Sequence, residues 1–236
     1  MINNNLLALL ITFLIAFLWL AFCKFLSQKG LVSSSTSRKI VHIGTGPIFV
    51  LCWLLFSETI SARWLASLVP LLITVQFIFA GIGIIKDERI IKSLSRSGDP
   101  KEILKGPLYY GIVFIIITIL FWRYSPIGIV ALMILCGGDG IADLVGSRWG
   151  KHYPIPWSKS KSLVGSLGMF MGGLIFSFTI LAIFISAGFF QLSLLETLSK
   201  LLIVCISAII VESLPFDNID NVSVPITAII IGFLVF

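Results

Sequence analysis

Between Gly137 and Ser166 the chain reads GGDGIADLVGSRWGKHYPIPWSKSKSLVGS. Asp139 and Asp143 stand four residues apart, so on a helix their carboxylates share one face. Glycines 137, 138 and 140 surround the first acid and remove side chains where a ligand or another backbone can approach. Paired carboxylates suit Mg²⁺, which normally shares its coordination with substrate phosphates. A basic stretch follows, with Arg148, Lys151, Lys159 and Lys161, before apolar sequence resumes at Leu163. Ser162 stands where it can cap a helix starting near Leu163. The free N–H groups and positive dipole end of such a helix form a natural phosphate site. Metal-holding acids, phosphate-meeting lysines and flanking apolar sequence together imply phosphate chemistry on a lipid.

Three other segments bear on that chemistry. Glu212 to Pro225, ESLPFDNIDNVSVP, holds Glu212, Asp217 and Asp220 with Asn218 and Asn221 between two apolar runs. A turn alone explains Asn, Asp and Pro, but it does not need this density of oxygen ligands. These acids are candidate metal ligands or acceptors of a hydroxyl proton, with Asp217 and Asn218 on the metal side. Ser37 to Pro47, SRKIVHIGTGP, offers Arg38, Lys39 and His42 as further candidates for the anionic substrate. For Arg38 and Lys39 the alternative is interfacial anchoring, and for His42 a hydrogen-bonded packing role. Gly146 and Gly150 also have two readings. Gly-x-x-x-Gly marks close helix packing, whereas a turn with exposed N–H groups beside Arg148 and Lys151 would bind an anion. Ser97–Gly111, SGDPKEILKGPLYYG, reads as a solvated loop ending in interfacial Tyr109 and Tyr110. No GxxxxGK[ST] pattern occurs, so a P-loop nucleotide site is unsupported.

The elements that carry these residues must be membrane helices. The chain is 58% hydrophobic and 12% charged, and its mean hydropathy is +1.08, too apolar for a water-covered globule. Spans of ~20 apolar residues are expected at about Leu6–Leu26, Val41–Phe56, Trp64–Ile85, Leu108–Trp122, Pro126–Val145, Leu163–Phe189, Leu198–Val211 and Val222–Phe236. The expectation is an all-α polytopic bundle of eight spans, or seven if the short last one does not cross. A single domain, 1–236, would carry loops near 27–40, 86–106, 146–162 and 212–221. MINNN has no basic n-region and no small-residue cleavage site follows, so the first apolar run is expected to remain as a span. Cys23, Cys52, Cys136 and Cys205 are scattered in apolar sequence and read as buried hydrophobes.

Lysine and arginine alternate with the loops. Lys24, Lys29, Arg38 and Lys39 precede the second span, and six basic residues from Lys86 to Lys105 separate the third from the fourth. Arg148, Lys151, Lys159 and Lys161 separate the fifth from the sixth. The alternate loops hold only Arg63, Arg123 and Lys200. The positive-inside rule then makes the basic loops cytoplasmic and puts the N-terminus outside, with Glu212–Asn221 on the cytoplasmic side. A bacterial inner membrane or a thylakoid or other organelle membrane would suit this arrangement. The net charge of +6 follows from topology and anionic head groups and gives no support for nucleic-acid binding. Nothing in the sequence speaks to a homo-oligomer.

Taken together, SRKIVHIGTG, GDPKEILKGPLYYG, GGDGIADLVGSRWGK with KSKSLVGS, and ExLPFDNIDNxxVP resemble the CTP-dependent polyprenol kinases, in family order over most of the chain. That family includes dolichol kinases and, closer to this chain, phytol and farnesol kinases. The family's CTP-binding pattern falls on Asp139, Ala142, Gly146 and Gly150, then Lys161, Ser162 and Gly165. Ser160 stands where dolichol kinases have the first of two lysines, and Val164 where they have an acid; both departures point to the phytol kinase branch. The resemblance implies a membrane kinase that moves the γ-phosphoryl group of CTP, with Mg²⁺, to an isoprenoid alcohol: phytol first, or farnesol or geranylgeraniol. A related pattern occurs in enzymes that make CDP-diacylglycerol from CTP and phosphatidate, but their closing basic and acidic signature is absent here. The rival without catalysis is a transporter or flippase of a phosphorylated lipid, for which charges gathered at one face and the lack of an internal repeat speak poorly.

Overall fold

A computed structural model describes residues 4–86, 91, 94, 95, 97–215 and 219–236. Among these, seven helices are long and apolar enough to cross a membrane, and an eighth, Asp220–Val235, is shorter. This matches the expected all-α bundle. The chain packs as two compact units, one of Met1–Val41 and Cys52–Leu120, the other of His42–Leu51 and Phe121–Phe236.

The first unit is built from α1 (Asn5–Gln28), the start of α2 (Ser34–Cys52), α3 (Ser61–Gly81) and α4 (Gly106–Leu120). The Asn4 side chain caps α1 by accepting from the N–H groups of Leu6 and Leu7. Hydroxyls buried in this unit bond to backbone carbonyls, as Thr74 Oγ1 does to Pro70 O of its own helix at 2.6 Å and Ser37 Oγ to Cys23 O of α1 at 2.9 Å. This satisfies groups that lipid cannot. Arg38 donates from its guanidinium to Ser95 O at 2.6 Å.

The second unit is organised around one continuous run. α5 (Pro126–Met133) passes through a π turn (Ile134–Gly138) into α6 (Asp139–Trp149). Every residue from Ile127 to Gly138 is buried, as expected of a helix that is apolar all round. After a short 3₁₀ turn (Gly150–His152) come β1 (Pro154–Ile155) and β2 (Ser158–Ser162), paired antiparallel. The residue types of this segment carry no signal for such a hairpin. Then follow α7 (Leu163–Ser186), α8 (Leu194–Glu212) and α9 (Asp220–Val235).

Glycines set how closely α6 and α7 approach. A Cβ on Gly146 would lie 3.3 Å from the Cα of Gly165, and one on Gly168 would lie 3.3 Å from the Cα of Ala142. A Cβ on Gly172 would run into the carbonyl of Gly137 in the π turn. Small residues at positions 165, 168 and 172 therefore form the stripe that lets two membrane helices touch backbone to backbone. Gly150 is likewise buried against the Ser162 side chain. Gly146 thus serves helix packing, while Gly150 ends α6 by donating its N–H to Gly146 O. The expectation of an open anion-binding turn there is corrected, because Gly146 lies inside α6 with its N–H in the helical ladder.

Gly172→Leu should destabilise the protein by about 1–3 kcal/mol through overpacking against the π turn. Leu167→Ala, on an exposed face of the same helix, should stay within about 0.5 kcal/mol. Thermal unfolding of the two variants in one detergent checks the contrast.

Candidate functional site

The second unit gathers most of the expected chemistry. Asp139 is the first residue of α6, immediately after the π turn, and Asp143 lies one turn on. π turns recur at functional sites because the extra residue re-aims the helix that follows. Gly140 faces α2, where a Cβ would collide with Ile43 and lie 3.2 Å from the His42 ring. His42 Nε2 sits 3.5 Å from Asp139 Oδ2 and 3.3 Å from the carbonyl of Leu135. Both neighbours are acceptors, so the nitrogen facing them carries a proton. His42 is therefore an orienting neighbour of Asp139, and its position follows from the absence of a side chain at Gly140.

A second cluster is formed by Lys161, Glu212, Asp220 and Ser166. Lys161 Nζ donates to Glu212 Oε1 at 2.8 Å and to Asp220 Oδ2 at 2.6 Å. Ser166 Oγ donates to the other oxygen, Glu212 Oε2, at 3.4 Å. The side chains of Lys161, Glu212 and Asp220 are 16%, 6% and 21% exposed, so the ion pairs are partly dry. Burial disfavours the ammonium form of Lys161. The hydrogen bonds and charges of Asp220 and Glu212 outweigh it and raise the lysine above its ordinary value of 10.5. Asp139 lies within electrostatic range of Glu212, which links the two clusters into one acidic region.

The start of α7 is built as its sequence indicates. Ser162 has an extended backbone and its Oγ accepts from the N–H of Gly165 at 3.1 Å. The Leu163 N–H donates to Tyr153 O at 2.9 Å, so two of the first three N–H groups of α7 are already engaged. The hairpin is fastened there a second time, since the Trp157 indole donates to Ser213 O at 3.0 Å. Arg148 and Lys151 are exposed, with the Arg148 guanidinium 5.1 Å from the Trp149 ring centroid.

Not every expected residue takes the expected place. Lys161, expected to meet phosphate, bridges two carboxylates in this structure. Arg38 and Lys39 belong to the first unit, with Arg38 bonded to Ser95. Asp217 and Asn218 lie outside the described residues, as does the side chain of Lys159. Ser166 and Trp157 are additions. Ser166 could have been found as the residue one helical turn beyond the Ser162 cap, and Trp157 as the lone aromatic inside the serine- and lysine-rich segment.

Comparison with known proteins is consistent over most of the chain. It is 44% identical over 213 residues to a probable phytol kinase, chloroplastic, of Triticum aestivum, covering 89% of this chain and 71% of that protein. It is 39% identical over 213 residues to phytol kinase 1, chloroplastic, of Arabidopsis thaliana, covering 89% and 70%. Farnesol kinase, chloroplastic, of Arabidopsis thaliana is 40% identical over 228 residues, covering 96% and 74%. No family model matches the chain, and no solved structure does. Identity of this level over nine-tenths of the sequence places the chain in the family of phytol and farnesol kinases.

Proposed function

We propose that this protein transfers the γ-phosphoryl group of CTP to the hydroxyl of an isoprenoid alcohol, phytol first, giving the prenyl monophosphate and CDP. The observation that carries the reading is membership of the phytol and farnesol kinase family. CTP as donor rests on the pattern from Asp139 to Gly165. The chloroplastic names of the relatives support an organelle membrane as its seat, and the alternation of basic loops supports an active site on the cytoplasmic or equivalent face.

The donor set fits Mg²⁺. Among the described residues no group of three His, Cys, Asp or Glu side chains is gathered to hold an ion alone. Mg²⁺ is suited to such a site, since it takes one or two carboxylates and fills its octahedron with phosphates and water. Asp139 and Asp143 would hold it, and bound there it would neutralise charge on the triphosphate. Phosphoryl transfer needs positioning and charge compensation more than covalent chemistry. His42 orients Asp139 by donating to it. The positive end of α7, with Lys159, would meet phosphate oxygens. Glu212 and Asp220 would accept the alcohol proton or supply a second metal ligand, and Asp217 and Asn218 would serve on the metal side. The isoprenoid tail lies among apolar helices. Its burial is worth ~0.8 kcal/mol per CH₂ against water but little against lipid, so the bilayer supplies the substrate without selecting it.

Membranes holding the protein, given CTP labelled at the α or the γ phosphate together with phytol, farnesol or phosphatidate, should place γ-label in the prenyl alcohol. α-Label in a lipid would make the protein a cytidylyltransferase, and label in neither would favour a transporter. Asp139→Asn is isosteric and should keep the wild-type unfolding temperature while losing turnover by ~100-fold or more. Near wild-type turnover would remove Asp139 from the metal site.

A further inference from the structure

The segment between α6 and α7 has an outward edge that the proposed chemistry leaves unused. From Leu144 to Leu163 the chain holds Arg148, Lys151, Lys159 and Lys161 and no acid. Lys161 falls in the nucleotide pattern, with Lys159 close by in sequence. Arg148 and Lys151 instead are exposed and form no ion pair among the described residues. Beside them stand Trp149, Tyr153 and Trp157, with 52%, 57% and 59% of their surfaces exposed. Ile155 and Ser158 of the same hairpin are buried, so the hairpin has an inner and an outer side. The Trp157 indole N–H is already bonded to Ser213 O, and what its ring turns outward is apolar carbon. The Arg148 guanidinium lies 5.1 Å from the Trp149 ring centroid, within cation–π reach. Large rings gathered in this way mark a surface that meets something other than water.

The depth of this edge follows from α7. Leu163, Leu167, Met171 and Ile175 recur at every fourth position and are all exposed, which makes an apolar stripe on one helix face. The stripe starts at the first residue of α7, directly after β2, so the hydrocarbon begins where the hairpin ends. The head-group layer beyond it is ~5–8 Å deep on each side of a bilayer. Trp and Tyr concentrate at that level, where an apolar body and a polar tip are both accommodated. Arginine meets phosphate oxygens with a planar fork and lysine meets them as a point charge. A soluble anion would satisfy the two cations and leave three rings in water.

We propose that the edge of Arg148, Trp149, Lys151, Tyr153 and Trp157 docks on anionic lipid head groups of the bilayer that the chain spans, with the rings at head-group depth and the two cations on lipid phosphates. This goes beyond the kinase reading and does not rest on it. The edge and Lys161 share one paired hairpin, so the lipid surface supports the strand that enters the nucleotide pattern.

The test uses the full chain in lipid nanodiscs and needs no turnover. The four native cysteines are buried, so Tyr153→Cys takes a polarity-sensitive maleimide dye on the edge itself. In discs of phosphatidylcholine with phosphatidylglycerol, a spin label on the lipid head group should quench the dye strongly, and aqueous acrylamide should quench it weakly. Phosphatidylglycerol titrated into phosphatidylcholine should shift the emission along a saturating curve. A cation near an anionic surface changes occupancy by about fivefold, so Arg148→Gln/Lys151→Gln should lower the initial slope of that curve by ~10-fold or more. High salt should lower it too. Acrylamide quenching as strong as for the dye in water would overturn the proposal, as would an emission indifferent to phosphatidylglycerol. An emission shift on adding CTP to plain phosphatidylcholine discs, weakened by the same double variant, would give the surface to the nucleotide instead. Should Tyr153→Cys not fold, His152→Cys, exposed at the neighbouring position, carries the dye through the same series.

Discussion

The close contact of α6 with α7 is the constraint on which the rest of the second unit depends. Apolar lipid tails solvate leucine as well as a neighbouring helix does, so membrane helices gain little from hydrophobic association and rely on packing. Gly165, Gly168 and Gly172 convert that packing into backbone contact with Gly146, Ala142 and the π turn. The contact brings the Ser162 cap and the acid-bearing face of α6 into the same neighbourhood. Larger side chains on the stripe would hold the helices apart and separate the Asp139 cluster from the Lys161 cluster.

The charges of this unit are arranged by the same economy that governs any ionisable group near a bilayer. An uncompensated carboxylate in such a place is costly, and Glu212 is met by both an ammonium and a hydroxyl. Asp139 is met by a ring nitrogen from α2. Each acid thus has a neighbour that fixes its direction without removing all of its capacity to bind.

Much of this is visible in the sequence, for reasons that differ by element. The spans are legible because about twenty uninterrupted apolar residues match the thickness of a bilayer and little else. Most observed helix ends depart from the expected ones by a few residues, as Leu194–Glu212 does from Leu198–Val211, but α2 begins at Ser34 where Val41 was expected. The helix start at Leu163 is legible because a serine before an apolar run is a local signal. The role of Gly146 is not legible, because a packing stripe and an anion-binding turn both require glycine and the deciding partner, Gly165, is nineteen residues away. The neighbours of Lys161 are not legible either, because Glu212 and Asp220, which fold onto it, lie some fifty to sixty residues later. Residues 154–162 pair as a hairpin although proline, serine and lysine give them no strand signal, so that pairing follows from the anchors at Trp157 and Lys161.

The π turn between α5 and α6 has a consequence for how this site tolerates change in length. An α-helix turns by ~100° per residue, and the five residues Ile134–Gly138 absorb one more residue than a regular turn would. Loss of a single residue from that turn would be taken up by a return to regular α-helix, but winding all the same residues as α-helix would swing Asp139 and Asp143 together by about a quarter of a circle. Every atom of both acids would survive, yet they would point away from His42 and toward a different neighbour. The site is thus specified by counting as much as by composition, and a chain can keep all its acids while losing the direction in which they face.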